Sequence, residues 1–538
     1  MRRLAALLMA ASACGAPVVE DDGGSSFDAG VSLDAGSMRD AGVSFDAGSS
    51  FDAGSSFDAG GSFDAGSSFD AGSSFDAGSS FDAGSSFDAG SSFDAGNSFD
   101  AGNSFDAGSS FDAGVSLDAG SANDAGSVMD AGASLDAGAT LDAGLRTDAG
   151  VDAGFTDSCS TQMAACPAMP TNLVEGAGLR TIDRCAFPIS ATAASFTNDA
   201  LLDALAMRAT PATVAAVLAD TNRVATQTTM APGGPAGLAY AFRWNTEDEN
   251  STTWIPQGIT GSADAEASGL VAGKRVVLVS WYEDAGLQKG VRIAFVDITT
   301  PSAPRYRFAL LVEATGTVAA PNFTQVDAHA GGIVWYGPYL YMAQTGSGFR
   351  VFDTRRILEV ATDVDTVGCT ATICRAGLYK YVIPQVAEYV DRSSCNPIFS
   401  WVSLDRGSSP PALVSGEYCS GSACSGPLAG RVFRWPLDSS THLLRGARTW
   451  PVAAAYMGQR QVQGGAYRLG TTYLSSSAPS GGGGALYSLN TTRSFTSNFV
   501  DSPEDLMVDE QNLVLWSLSE AAGNRVVLSV RFSNYPVP

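Results

Sequence analysis

The sequence predicts an all-β protein, a β-propeller of about five to seven blades preceded by a short helical segment and a long disordered repeat. Three observations lead there. An Asp-Ala-Gly triplet returns every six residues through the N-terminal part of the chain. The composition changes at Thr156, where cysteine, tryptophan, proline and mixed charge begin. Beyond Gly233, short runs rich in Val, Tyr, Phe and Trp alternate with glycine-containing turns in an arrangement that itself repeats.

Met1-Arg2-Arg3, the apolar run 4–11 and Ser12-Ala13-Cys14-Gly15 stand in the charged, hydrophobic, small order of an export signal. The run is too short to remain as a spanning helix. A cysteine directly after two small residues resembles the lipobox of bacterial lipoproteins, with Ala11 where that family usually carries leucine. The resemblance implies removal of residues 1–13, acylation of Cys14 and attachment to a membrane through that lipid. Gly15 stands in place of the aspartate that retains such proteins at the inner membrane, which implies an outer-membrane or cell-surface address. The alternative is an ordinary cleaved signal with Cys14 incidental.

Besides Cys14 the cysteines are Cys159, Cys166, Cys185, Cys369, Cys374, Cys395, Cys419 and Cys424, an even set of the kind an oxidising compartment favours. Cys369 with Cys374 and Cys419 with Cys424 each enclose four residues and suit small disulfide loops. A zinc reading of those pairs lacks the tighter spacing and the histidines of a knuckle. Pairing among the other four does not follow from sequence. The net charge of −25 falls almost wholly on residues up to Phe155. It therefore describes the repeat, and it argues against nucleic-acid binding.

From Asp28 to Asp148 the unit is usually Ser-Ser-Phe-Asp-Ala-Gly, with Phe57, Phe63 or Phe69 replaced elsewhere by Leu117 or Met129. One apolar side chain per unit does not offset the ordering entropy of glycine and serine, and the charges repel. Residues 14–155 are thus expected to be a disordered spacer. The rival is a hexapeptide β-solenoid, whose bore phenylalanine at most rungs would overfill. The spacing matches neither an EF-hand nor a nonapeptide calcium pattern.

Residues 156–232 read as a disulfide-containing, partly helical lead-in. Asn198 is placed to cap a helix over 199–207, and Thr210 with Pro211 to start a second through Ala219. Residues 233–538 read as the propeller. In one copy Ala328-His329-Ala330-Gly331-Gly332 opens a strand through Tyr336, followed by runs at 339–343 and 348–353. The same three-strand grammar recurs at 256–259, 275–282 and 290–297; more weakly at 398–401, 412–417 and 430–435; at 463–466, 472–474 and 484–489; and at 503–506, 512–518 and 523–528. Runs at 306–312 and 379–383 suit fourth strands. From His329 to Asp353, and at Val276 to Tyr282 with Val291 to Asp297, the chain resembles secreted bacterial propeller proteins of largely uncharacterised function. That likeness implies a fold more than an activity.

The innermost strand of each blade lines a propeller's channel, so the segments that open each copy are where ligand groups converge. They offer Gln257, His329, Gln463, Glu504 and Asp505 as ligand-binding candidates, with Trp335 and Tyr336 near a blade end as stacking candidates. His329, one of two histidines, suits a base or metal ligand with Asp327 and adjacent acids; the plainer role is capping a turn. A Gly-x-Ser-x-Gly elbow is missing, His442 lies in a plain Ser-Thr-His-Leu-Leu stretch, and Gly481 to Gly484 lacks the lysine of a phosphate loop. Neighbouring carboxylates such as Glu283-Asp284 or Glu504-Asp505 point to opposite faces of a strand. No catalytic residue, metal or cofactor is assigned. The reading is a cell-envelope lipoprotein whose propeller binds a protein, peptide or glycan, more scaffold than enzyme. Its alternative is an extracellular metal-assisted hydrolase or lyase with a channel site around His329.

Overall fold

The computed structural model describes Cys159, residues 164–420, 424–446, 448–477 and 483–538, and the backbone of short strands between 25 and 140. The signal segment and Cys14 lie outside the described residues. The chain divides into two compact units, 1–155 and 156–538.

In the first unit the strands form a 12-stranded sheet. They pair in parallel with the strand three hexapeptides on, so that Phe27 stands beside Phe45, Phe63 beside Phe81 and Phe81 beside Phe99. That is the coil register of the solenoid alternative.

The second unit is a five-bladed propeller. Blade 1 runs outward through Trp254–Gly261, Val276–Glu283, Val291–Asp297 and Arg305–Thr317. Blade 2 follows with Ile333–Tyr336, Tyr339–Gln344, Gly348–Asp353 and Tyr381–Asp391. Blade 3 is Trp401–Asp405, Ala412–Gly416, Arg431–Pro436 and Ala453–Tyr456; blade 4 is Val462–Arg468, Thr471–Ser476, Gly484–Leu489 and Ser494–Phe499. Blade 5 has only three strands from the C-terminus, Pro503–Asp509, Val514–Ser519 and Val526–Arg531. Its fourth, Leu238–Arg243, comes from before blade 1 and pairs antiparallel with Val526–Arg531. The ring is closed by hydrogen bonds between its two ends.

Blades stack face to face, so both sides of a strand are covered and apolar residues run without alternation, as in the buried stretch Val276 to Val279. Each of the five blade junctions has its own core. Phe295 and Leu278 meet Trp335 and Met342 between blades 1 and 2. Tyr341 and Phe349 meet Phe433 and Trp435 between 2 and 3, and Trp401 and Val414 meet Leu474 and Tyr487 between 3 and 4. Tyr473 and Leu486 meet Leu515 and Leu528 between 4 and 5, while Trp281 and Val279 meet Trp516 and Leu518 between 5 and 1. Fully burying such side chains contributes roughly 1.5–3 kcal/mol each.

The inner strands touch backbone to backbone. A Cβ on Gly332 would come 2.2 Å from Val402 N, and one on Gly464 would come 2.6 Å from the Asp505 Cα. Hydroxyls tie the ring where side chains cannot fit. Ser280 donates to Ala330 O at 2.9 Å, Ser403 to Gly465 O at 2.5 Å, and Ser475 to Glu504 O at 2.6 Å.

The lead-in runs around the rim rather than forming a separate body. Arg180–Thr181 extends blade 3, Ile189–Ala191 extends blade 2, and Arg223–Val224 extends blade 1. Helix α1, Asp199–Ala206, starts after Asn198 as expected, although no side-chain cap bond forms there. Helix α2 is Val214–Ala219, capped by the Thr213 hydroxyl at Ala216 N. The expected start at Thr210-Pro211 is a correction: those residues are extended and pair with Leu358–Glu359, because proline's fixed φ also suits an edge strand. A third helix, α3 (Thr246–Asn250), supplies buried Asp248, which Arg292 reaches at 2.9 Å, Arg223 at 3.2 Å and the Tyr306 hydroxyl at 2.6 Å.

The two short-loop disulfides, Cys369–Cys374 and Cys419–Cys424, are present. The remaining four cysteines pair as Cys159–Cys185 and Cys166–Cys395, the second fastening the lead-in to the connection between blades 2 and 3.

Candidate functional site

Hairpin register determines which residues share the mouth of the channel. Trp254 stands opposite Glu283, Val462 opposite Ser476, and Pro503 opposite Ser519. The openings of the inner strands and the ends of the second strands therefore lie at one end of the ring. That end gathers Gln257, His329, Gln463 and Glu504 with three residues from second-strand ends, Tyr282, Asp284 and Glu520.

The groups form layers. His329 and Asp284 are exposed, Tyr282, Gln463 and Glu520 are half-buried, and Gln257 and Glu504 lie beneath, Glu504 only 1% exposed. Carboxamides hold the carboxyls: Gln257 Nε2 donates to Glu520 Oε2 at 3.0 Å, and Gln463 Nε2 donates to Glu504 Oε1 at 3.1 Å. The Tyr282 and His329 rings lie 4.4 Å apart at the rim. Gln461 Nε2 donates to the Tyr418 hydroxyl at 3.3 Å on the blade 3 side. Fully buried Arg525 donates Nε to Glu520 O at 2.8 Å and Nη1 to Asp248 O at 2.7 Å, fixing the loop that carries Glu520.

Burial pushes the Glu504 carboxyl well above the ordinary range, and the charges of Glu520 and Asp505 push it further. Burial also raises Glu520, against the opposing Gln257 hydrogen bond and Arg525 charge, with Asp284 adding to the rise. His329 is held below its ordinary value, chiefly by the walls around it, although Asp284 pulls the other way. The mouth is thus a set of hydrogen-bonding groups in which burial raises the proton affinity of half-buried Glu520.

Three other sequence candidates sit elsewhere. Asp505, 0% exposed, lies below the mouth, where its Oδ2 accepts from Ile259 N at 3.2 Å and Ile333 N at 3.3 Å, tying blade 5 to blades 1 and 2; its Oδ1 has no partner. Trp335, 2% exposed, is enclosed in the core between blades 1 and 2, so it presents no face to a ligand. Tyr336 is buried at the opposite end of the inner strand, 4.7 Å from the His442 ring. The expected partner of His329 also changes. Asp327 accepts from Gln325 Nε2 at 3.4 Å, and the acid acting on His329 is Asp284. Among the described residues no group of three or more His, Cys, Asp and Glu side chains is placed to hold a metal ion. Tyr282, Asp284 and Glu520 were not singled out as site residues from sequence, because only the hairpin register carries second-strand ends to the mouth.

No family model and no curated protein sequence matches the chain. Solved structures do. A GH43_1 enzyme from Xanthomonas citri aligns with 10% identity over 63% of this chain and 96% of its own, TM-score 0.26. A thermostable family-43 glycoside hydrolase aligns with 9% identity over 52% of this chain and 89% of its own, TM-score 0.28. A gluconolactonase from Xanthomonas campestris aligns with 12% identity over 58% of this chain and 88% of its own, TM-score 0.25. Likeness at this level leaves the chemistry to the chain's own residues.

Proposed function

We propose that the protein is an exported, lipid-anchored envelope protein whose propeller binds a hydroxyl-rich ligand, a glycan, at the channel mouth. The observation that carries this is the convergence of two carboxamide–carboxyl pairs, Gln257 with Glu520 and Gln463 with Glu504, beside the tilted, contacting Tyr282 and His329 rings. Amides, carboxyls and a ring face are the groups that meet sugar hydroxyls and sugar faces. Cys14 would supply the anchor and residues 14–155 the spacing. Among the described residues no helix is long and apolar enough to cross a membrane. Two measurements test the reading. Oligosaccharide binding by the whole chain should fall at least tenfold in Gln463→Leu, and Cys14→Ser should release the protein from the membrane fraction. Unchanged binding in Gln463→Leu would overturn the site, and retention of Cys14→Ser would overturn the anchor.

A second reading is hydrolysis at the same mouth. It is favoured by one observation, that half-buried Glu520 is both reachable and raised in proton affinity, as a general acid needs. Glu520→Gln would then abolish turnover of a glycan that it still binds.

A further inference from the structure

A second cleft, sharing no lining residue with the mouth, opens between blades 1 and 2 with a volume of about 450 Å3. Half-buried Tyr379 supplies its aromatic surface, backed edge to face at 6.1 Å by the Trp254 ring, which is 9% exposed. Four cations, Arg223, Lys289, Arg307 and Lys380, line it against one carboxylate, Asp365. In residues 156–538, which are slightly acidic overall, this is a local reversal of sign.

The charges behind the walls cancel part of it. Lys380 is met by Asp220 at 2.9 Å and Glu359 at 3.4 Å, and Arg307 shares the same Asp220 at 3.7 Å. Arg223 and buried Arg292, however, share Asp248 alone, which leaves a positive charge over beside the aromatic surface. Arg292 lies 3.7 Å from the Phe308 ring centroid and 4.4 Å from that of Trp254, and its Nε has no partner.

The remaining pair spans the cleft. Lys289, on the loop between two blade 1 strands, reaches Asp365 of blade 2 at 2.9 Å, and both side chains are exposed. Exposed pairs of this kind contribute little and open readily. A ligand carboxylate that takes the place of Asp365 finds Lys289 already positioned and Arg223 beyond it.

We propose that this cleft binds a sugar acid. Its carboxylate meets Lys289 and Arg223, its hydroxyls meet Asn222, Gln288 and Thr366, and its ring lies against Tyr379. A neutral sugar leaves the positive charge unanswered, and a simple inorganic anion leaves the aromatic wall unused.

Calorimetric titration of the whole chain with glucuronate, glucose and inorganic phosphate tests this. Glucuronate should bind at least tenfold tighter than either control, and Lys289→Gln should weaken it about tenfold. Asp365→Asn, which removes the competing carboxylate, should tighten it. Both substitutions alter exposed side chains, and unchanged thermal unfolding midpoints would show that folding is intact. Glu504→Gln, at the mouth, should leave glucuronate affinity unaltered. Glucuronate binding no tighter than glucose or phosphate would overturn the proposal. So would affinity that falls in Glu504→Gln but not in Lys289→Gln, which would place the acid at the mouth.

Discussion

Gln463 donates Nε2 to Glu504 Oε1 across 3.1 Å, so a carboxyl buried at the junction of blades 4 and 5 is met by an uncharged amide rather than a cation. The amide's hydrogen bond favours the ionised form less than a cation would, and burial with the neighbouring acids opposes it. Because the folded state holds the proton more tightly than the unfolded chain, this group's contribution is full at low pH and lost as pH rises. Glu504→Gln keeps the polar contact and removes the titration. Urea denaturation should find it equal to the parent near pH 4 and more stable by on the order of 1 kcal/mol at pH 8. A loss of stability at both pH values would mean that the carboxyl is needed in its charged form.

Asp505 is a structural tie. Its Oδ2 takes two backbone N–H groups from different blades, and burial raises its carboxyl well above the ordinary range. A neutral amide of the same shape can accept those bonds, whereas a methyl group leaves two buried donors bare. Asp505→Ala should therefore cost about 2–4 kcal/mol and Asp505→Asn less than about 1. Equal losses in the two variants, measured by chemical denaturation, would contradict this role.

Asp505 also marks how far the sequence could be read. Five copies of a three-strand pattern correspond to five blades because each inner strand is followed by a locally encoded hairpin, and glycines such as Gly332 and Gly464 mark the close approaches. The fourth strands of blades 1 and 2 are legible as the runs at 306–312 and 379–383. Blade 5 is different. Leu238–Arg243 pairs with Val526–Arg531, and no local pattern announces a partner at the far end of the chain. The same logic divides the candidates. Gln257, Gln463 and Glu504 were legible because they open copies, but the distinction between Glu504 at the mouth and Asp505 inside the ring depends on which face each side chain takes. Glu520 and Tyr282 enter the site only through register.

Asp264 gives a second titration, at the other end of the channel. It is fully buried, accepts from the Thr260 hydroxyl at 2.7 Å, and is pushed by burial up to about 7 in spite of that bond and of Arg406. The folded value lies above the unfolded one, so stability present below pH 4 is lost between roughly pH 4 and 7. The full loss amounts to at most about 4 kcal/mol. Asp264→Asn retains an acceptor for Thr260 and should flatten the pH dependence in that window. A profile as steep as the parent's would place the titration elsewhere.

The lead-in carries the last prediction. Cys166–Cys395 closes a separation of 229 residues, and Cys369–Cys374 one of 5. In the chain-entropy account the longer loop restricts the unfolded state far more, about 5 kcal/mol against about 2. Replacing Cys166 and Cys395 by serine should therefore lower the thermal midpoint more than replacing Cys369 and Cys374. The strand pairs at Arg180–Thr181 and Ile189–Ala191 hold the lead-in to blades 3 and 2 even without that bond. The fold should survive in the double variant, with proteolysis confined to the segment before Arg180. If the short loop proves the costlier to open, the hairpin at Val367 to Ala376 stabilises the folded state by contacts rather than by chain closure, and the lead-in contributes little to the ring.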